Sequence, residues 1–333
     1  MDKLLNKNVL FFSPDFFNYD KEIKKCLENL GAKVHWFDDR PSNSFLSKVI
    51  IRFNRNYISM LTAQYYKRIL EKVKHLKFDY VLFLNPEAIN EDMLKGIKNF
   101  FPEAIYIVYM WDSFNNRKKT LDLLPFFNYK FTFDPKDSKQ YNINHRPLFF
   151  IPQYAASNEE KQPIEYDLLF TGTAHSDRYI LVKNICKKLF PGAKTKLYFY
   201  LSSKFLYLFR KLLDKNFKSV ALEDLSFKSL SHEENAALIL KSKAVLDINH
   251  PKQIGLTMRT FEVLGAGRKL ITTNKDVENY DFYSPENILI IDRSEPKIDE
   301  KFFQTNMKSY CEDTKYKYSI EGWVMEIFNL KST

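Results

Sequence analysis

Residues 247–274 read DINHPKQIGLTMRTFEVLGAGRKLITTN and hold Gly255, Gly265 and Gly267, three of the chain's eight glycines. The apolar run AVLDIN (244–249) predicts a strand, Asn249-His250-Pro251 a loop reaching Gly255, and the spacing after it a helix that begins near Leu256 or Thr257. RKLITTN (268–274) is then the next strand. A helix that starts at a strand's carboxyl end has free amides and the positive end of its dipole there, which together attract phosphate. Arg259 and Glu262 share one face at i, i+3 spacing, while Met258, Phe261 and Leu264 can bury another. A carboxylate that accepts two hydroxyls beside such a helix start suits a ribose diphosphate. Two plainer alternatives stay open: Arg259 and Glu262 pair with each other on the surface, and Gly265 and Gly267 merely end the helix. GAGRKL is no dinucleotide fingerprint, because it follows a helix and lacks the third glycine.

Outward from this stretch the same alternation repeats. NVLFFS (8–13) predicts a strand, NYDKEIKKCLENLG (18–31) a helix closed by Gly31, and KVHWFDD (33–39) the next strand. Further strands are predicted at 78–85, 104–112, 129–134, 166–172, 196–200 and 287–292, with helical patterns between them, one opened by the Ser231/Glu234 capping-box pair. Strands alternating with helices imply parallel sheets covered on both faces. The expected fold is therefore α/β, two Rossmann-like doubly wound domains facing a central cleft, with ligands at the carboxyl ends of the strands. The proline-bearing polar stretch before Tyr166 marks the boundary. The expected division is 1–150 for an acceptor-side domain, 151–165 for a linker, 166–315 for a donor-binding domain, and 316–333 for a terminal helix that packs back on the first domain.

Composition narrows the class. A chain of 333 residues, 45% of them hydrophobic, exceeds one usual core and fits two domains of about 150 residues. Cys26, Cys186 and Cys311 are scattered and odd in number, which argues for a reducing compartment and against structural zinc. The start carries an acidic residue and a short apolar run, unlike a signal peptide, and no segment reaches the ~20 apolar residues of a membrane span. The expected location is the cytoplasm, with a peripheral association at the inner face of the membrane. The net charge of +10 comes with abundant Lys, Asn, Phe and Tyr together, which reads as biased composition. No zinc-finger or RNP-like motif accompanies it, so no nucleic-acid partner is expected.

The run GLTMRTFEVLGAGRKLITTN followed by NILIID resembles the carboxyl-terminal domain of CgeB-like glycosyltransferases, GT-B enzymes found with lipopolysaccharide or capsule genes. YDLLFTGTAHSDRY (166–179) and FTFDPKDSKQYN (131–142) are similar to other stretches of these proteins, in the same order. The resemblance implies a GT-B fold and transfer of sugar from a nucleotide-sugar, a substrate and not a cofactor, to a glycan or polyprenyl-linked acceptor. By motif position it implies that Glu262 binds the donor ribose, that Arg259 and the amides around Thr257 and Gly255 bind the diphosphate, and that Gly172 and Thr173 approach the phosphates. One departure is Ile254, where retaining enzymes of this kind often have a second glutamate, so the stereochemistry stays open.

No two aspartates stand two positions apart, so the Asp-x-Asp cation site of metal-dependent sugar transfer is missing and no catalytic metal is expected. Leaving-group charge then falls on the helix amides and Arg259, with Arg178 or Lys269 beside them. His250 and His175 are loop histidines that either touch phosphate or are solvated. A base for an acceptor hydroxyl is sought at strand ends. Asp112, beside Trp111 whose indole can stack on a sugar, ranks ahead of Asp15; each is equally readable as a loop or cap residue. Of two basic amphipathic stretches, 203–218 reads as one face in the core with its cations in solvent. For 45–77, an anionic membrane surface and plain solvent are equally good readings; the cations are Lys48, Arg52, Arg55, Lys67, Arg68, Lys72 and Lys74.

The same architecture serves nucleotide-sugar epimerases and would serve a non-catalytic nucleotide-sugar sensor. Transfer requires an acceptor, epimerisation does not, and a sensor binds without turnover. The transfer reading predicts activity that survives EDTA; an absolute Mg²⁺ or Mn²⁺ requirement in a radiolabelled-sugar assay would contradict the roles given to Arg259 and the helix amides.

Overall fold

A computed structural model of the chain describes residues 3–41, 55–156, 163–174, 177–251 and 253–330. The chain divides into two compact units, Met1–Pro147 with Ile320–Thr333, and Leu148–Ser319. In the first, β1 (Asn8–Ser13), α1 (Tyr19–Asn29), β2 (Lys33–Asp38), α2 (Arg55–Val73), β3 (Tyr80–Leu84), α3 (Glu91–Phe100), β4 (Ile105–Met110), β5 (Tyr129–Thr132), α4 (Pro135–Tyr141) and β6 (Asn144–His145) follow in turn. Its six strands are all parallel, in the order β2-β1-β3-β4-β5-β6. Strands β1, β3 and β4 are buried along almost their whole length, because helices cover both faces of a parallel sheet. This is why they read as unbroken apolar runs.

Buried carboxylates fasten the loops at the carboxyl edge of this sheet. Asp39, just past β2, accepts from the amides of Glu87 at 2.7 Å and Ala88 at 2.8 Å and from the Tyr66 hydroxyl at 2.7 Å. It thereby pins the loop that leaves β3. Burial pushes its pKa up, against those three hydrogen bonds.

The second unit contains β7 (Tyr166–Thr173), α5 (Arg178–Lys187), β8 (Thr195–Tyr200), α6 (Lys204–Leu213), β9 (Leu225–Ser226), α7 (His232–Leu240), β10 (Ser242–Asp247), α8 (Met258–Gly265), β11 (Lys269–Thr272), β12 (Ile288–Ile290), α9 (Lys301–Gln304) and α10 (Glu312–Lys317). Its sheet is also six-stranded and parallel, in the order β12-β11-β10-β7-β8-β9. Strand order reverses between β7 and β10, so the chain leaves those neighbours in opposite directions and opens a crevice at their carboxyl ends. At the start of α7, Ser231 accepts from the Glu234 amide at 3.2 Å while Glu234 accepts from the Ser231 amide at 2.8 Å, the reciprocal pair its sequence predicts. The last helix, α11 (Ile320–Ile327), belongs to the first unit, where the fully buried Trp323 meets the Tyr109 ring edge-on at 4.8 Å and Glu326 pairs with the buried Arg146 at 2.8 Å.

Two expectations change. The stretch 203–218 does not put its apolar face in the core: of α6 only Tyr207 is buried, while Phe205, Leu208, Phe209, Leu212 and Leu213 are exposed. The helix follows β8, one strand in from the sheet edge, and Tyr207 with Leu206 is all that reaches the core. Gly265 does more than end a helix. A Cβ there would lie 2.6 Å from two ring carbons of Phe150, so α8 and the segment carrying Phe150 meet at a distance only glycine permits. Gly267, at φ +56°, is the residue that turns the chain out of the helix. Of residues 45–77, 45–54 lie outside the described residues, as do the side chain of Arg55 and His175.

Gly265→Ala should overpack this joint and cost about 1–3 kcal/mol, read as a lower urea midpoint, whereas an unchanged midpoint would show that Phe150 can withdraw freely.

Candidate functional site

The crevice between β7 and β10 gathers most of the residues singled out in 247–274. Asp247, the last residue of β10, is buried and its Oδ2 accepts from the hydroxyls of Thr257 at 2.7 Å and Thr260 at 3.0 Å. Thr257 occupies the position that would normally cap α8, but its hydroxyl is turned to Asp247 and makes no cap hydrogen bond. The first turn of α8 therefore meets the crevice without a side-chain cap from Thr257. The loop leading to it is fixed by amides: Asn249 Nδ2 donates to Gln253 O at 2.9 Å, Gln253 Nε2 to Gly255 O at 2.9 Å, and Asn274 Nδ2 to Ile254 O at 2.8 Å.

Three guanidiniums surround this turn. Arg178, at the start of α5, donates to the carbonyl of Ile248 at 2.6 Å and to the carbonyl and hydroxyl of Thr173, both at 3.3 Å. A Cβ at Gly172 would stand 3.0 Å from the Phe170 ring and in ordinary contact, 3.6 Å, with Arg178 Nη1. Among the described residues Arg178 forms no ion pair, and its Nε is buried without a hydrogen-bond partner. Burial lowers its pKa, Asp247 works against that, and Arg293 and Arg259 add to it by repulsion. Arg293 forks onto Asp177 at 2.8 and 2.7 Å and donates to Asn249 O at 3.0 Å. Arg259 and Arg293 are paired with Glu262 and Asp177, which leaves the Arg178 guanidinium, near the buried Asp247, beside a helix start whose dipole favours anions.

Arg259 and Glu262 do pair, at 2.5 Å, but inside the unit: their side chains are 17% and 6% exposed. Arg259 also donates to Thr171 O at 3.2 Å. Glu262 belongs to a chain of hydrogen bonds in which Thr171 Oγ1 meets Asn235 Oδ1 at 2.8 Å, and Asn235 Nδ2 donates to Tyr154 Oη at 2.7 Å and to Glu262 Oε2 at 3.4 Å. Tyr154, 1% exposed in the stretch expected as a linker, also meets His232 Nδ1 at 3.2 Å. Burial, with the Glu262 charge second, holds its phenol well above the usual range. The surface-pair alternative for Arg259 and Glu262 is thus replaced by a buried network tying α8 to β7 and α7.

Thr257, Gly255, Arg259, Glu262, Gly172, Thr173 and Arg178 are brought together. Two others are not. Lys269 starts β11, at the opposite end of the sheet, and donates to Phe302 O and Thr305 Oγ1, both at 2.5 Å, with burial lowering its pKa. His250 is exposed on the loop. Asp247, Asn235, Tyr154 and Arg293 escaped the sequence reading. Asp247 sits inside the quoted stretch, and Arg293 directly follows the NILIID run, so a polar residue near each strand's carboxyl end was the signal available.

In the first unit the corresponding reversal lies between β1 and β3. Asp15, past β1, is exposed, and its carboxylate makes no hydrogen bond to another described residue; Arg40 donates to its carbonyl at 3.3 Å. Asp112 is committed to its own loop: its Oδ1 accepts from Ser113 N at 2.9 Å and Asn116 Nδ2 at 2.8 Å, and its Oδ2 stands 3.3 Å from Arg117 Nε. Arg117 also pairs with Glu87 at 2.6 Å, and burial raises the Glu87 pKa against the pull of Arg117 and Arg40. The Trp111 ring contacts Phe16, itself 45% exposed, at 5.6 Å. Among the described residues no group of three or more His, Cys, Asp or Glu is placed to hold a metal ion.

Two parallel six-stranded sheets with flanking helices are the GT-B arrangement, and solved structures share it. The Anabaena protein HepE, in complex with UDP and glucose, matches with a TM-score of 0.62 and 10% identity over 97% of this chain and 99% of its own. AviGT4, a glycosyltransferase of avilamycin A biosynthesis, matches at TM-score 0.56 and 10% identity over 98% and 96%. Acinetobacter baumannii MurG matches at 0.52 and 10% over 97% and 99%. No protein-family model and no curated protein matches the chain.

Burial raises the Asp247 pKa above its ordinary 3.8, more than its threonine donors and Arg178 lower it. The folded state therefore binds more protons than the unfolded chain between 3.8 and the raised value, and stability falls as pH rises through that window. Asp247→Asn lacks this loss, so its stability relative to wild type should improve from pH 4 upward and then level off; urea curves that stay parallel at every pH would deny the buried charge its effect.

Proposed function

We propose that the chain is a glycosyltransferase that moves a sugar from a nucleoside diphosphate sugar to a hydroxyl of a glycan or polyprenyl-linked acceptor. One observation carries this reading: the uncapped first turn of α8 stands at the strand-order reversal beside Arg178, whose charge no described carboxylate pairs. The amides of that turn and the guanidiniums of Arg178 and Arg259 take the diphosphate. They hold it more tightly as charge builds on the leaving group, because they are fixed before the reaction begins. Glu262 accepts the ribose hydroxyls and is kept in place by Asn235 and Arg259.

The HepE structure with UDP-glucose supports a donor of this class. The resemblance of 166–179 and 255–292 to CgeB-like proteins supports a place in lipopolysaccharide or capsule synthesis at the inner face of the membrane. Charge stabilisation by amides and guanidiniums accounts for transfer without a catalytic metal. In the first unit we assign the acceptor base to Asp15 ahead of Asp112, since the Asp112 carboxylate is already engaged by Ser113, Asn116 and Arg117.

Calorimetry with UDP and UDP-sugars tests the donor half. Arg178→Ala should weaken binding by about 1.5–3 kcal/mol, the range of a charge-assisted hydrogen bond, and Glu262→Gln should weaken it with a smaller effect on stability than Glu262→Ala, which strands two buried donors. Asp15→Asn should lower transfer by about 10²- to 10⁴-fold with donor affinity intact. Full activity of Asp15→Asn would remove it as the base, and unaltered affinity of Arg178→Ala would remove the diphosphate site.

A further inference from the structure

Helix α6 presents its apolar side to solvent. Phe205, Leu208, Phe209, Leu212 and Leu213 are 65, 60, 51, 79 and 70% exposed. Their spacing of i, i+3, i+4, i+7 and i+8 draws one continuous stripe along the helix. The inner side is narrow: Tyr207 is 8% exposed, donates to Val220 O at 3.2 Å and meets the Phe217 ring at 6.0 Å. Five large side chains on one short helix form a contiguous apolar surface, where scattered exposed residues would need no explanation.

The flanks of the stripe are basic. Residues 204–218 contain Lys204, Arg210, Lys211, Lys215 and Lys218 against the single acid Asp214. Among the described residues none of these five cations forms an ion pair. Arg210 donates to Ala174 O at 3.0 Å and Lys211 to Val220 O at 2.9 Å, so both lie along the body of the unit. Lys204, Lys215 and Lys218 are exposed.

We propose that α6 docks the chain on an anionic lipid surface, lying in the plane of the interface with its stripe among the acyl chains and its cations at the headgroups. A second copy of the chain would cover the stripe equally well, but a two-fold pairing would bring these cations against their equivalents. Lipid phosphates attract the same charges. At 10 residues the helix is about 15 Å long, too short to cross a bilayer and long enough to lie in its surface. Among the described residues no helix is long and apolar enough to span one. The Arg210 hydrogen bond to Ala174 O also joins α6 to the loop that follows Gly172 and Thr173, so the docking helix and the anion site share the carboxyl edge of one sheet. The surface belongs to α6 alone and is independent of whether the chain transfers sugar.

Co-sedimentation of the full chain with vesicles, without donor or acceptor, tests it. Wild type should sediment with vesicles containing phosphatidylglycerol at low salt, release in part at high salt, and bind pure phosphatidylcholine weakly. Leu208→Ser with Leu212→Ser should lower partitioning about tenfold or more with an unchanged melting temperature and unchanged UDP affinity. Lys204→Gln, Lys215→Gln and Lys218→Gln together should remove the salt-sensitive part. The proposal is overturned if wild type ignores anionic vesicles, or if the leucine variant binds as wild type does, which would locate any attraction elsewhere, as in residues 45–77. It is also overturned if sedimentation equilibrium shows a dimer that the leucine variant dissolves, since a second copy would then own the stripe.

Discussion

The carboxylate of Asp247 takes the hydroxyls of Thr257 and Thr260 at the end of β10, and what the second unit can bind follows from that. A threonine at the start of a helix ordinarily bonds its own amides. Here the hydroxyl is drawn to a buried acid one strand-end away, and the first turn of α8 is left open toward the crevice. The acid also lies close enough to Arg178 to favour its charged form, so this cation can be buried beside a helix dipole that repels it. Without that negative charge, burying Arg178 beside the positive end of α8 would be electrostatically unfavourable, while Arg259 and Arg293 have Glu262 and Asp177 as partners.

A second set of constraints holds α8 in register with its surroundings. Arg259, Glu262, Asn235, Tyr154 and Thr171 form one hydrogen-bonded path from α8 to β7 and α7, and Gly265 lets the Phe150 segment lie against the helix. Buried polar groups of this kind fix geometry because each has few alternative partners. The candidate site is consequently carried on a helix and two strand ends that these bonds hold in place. In the first unit Asp39 has the equivalent role, anchoring the loop past β3 through two amides and the Tyr66 hydroxyl.

Much of this was legible in the residues, and the limits have physical causes. Strands such as 8–13 and 105–110 are apolar throughout because both sheet faces are covered, so their runs predict them to within a few positions. The two-residue strands β6 and β9 are too short to show any period. Arg259 and Glu262 were readable because i, i+3 spacing forces them onto one face. Arg293 and Asp177, 116 positions apart, and Asn235 and Tyr154, 81 apart, meet only through the topology. The pattern of 203–218 showed an amphipathic helix correctly; which of its faces the unit would cover depends on where β8 lies in the sheet, and local spacing does not carry that.

The most direct measurement is a structure of the chain with a bound nucleoside diphosphate. The account predicts the diphosphate on the amides at the start of α8, with an oxygen within hydrogen-bond distance of Arg178 and the ribose at Glu262. A diphosphate bound away from the β7–β10 reversal, with Thr257 still turned to Asp247 and Arg178 untouched, would contradict it.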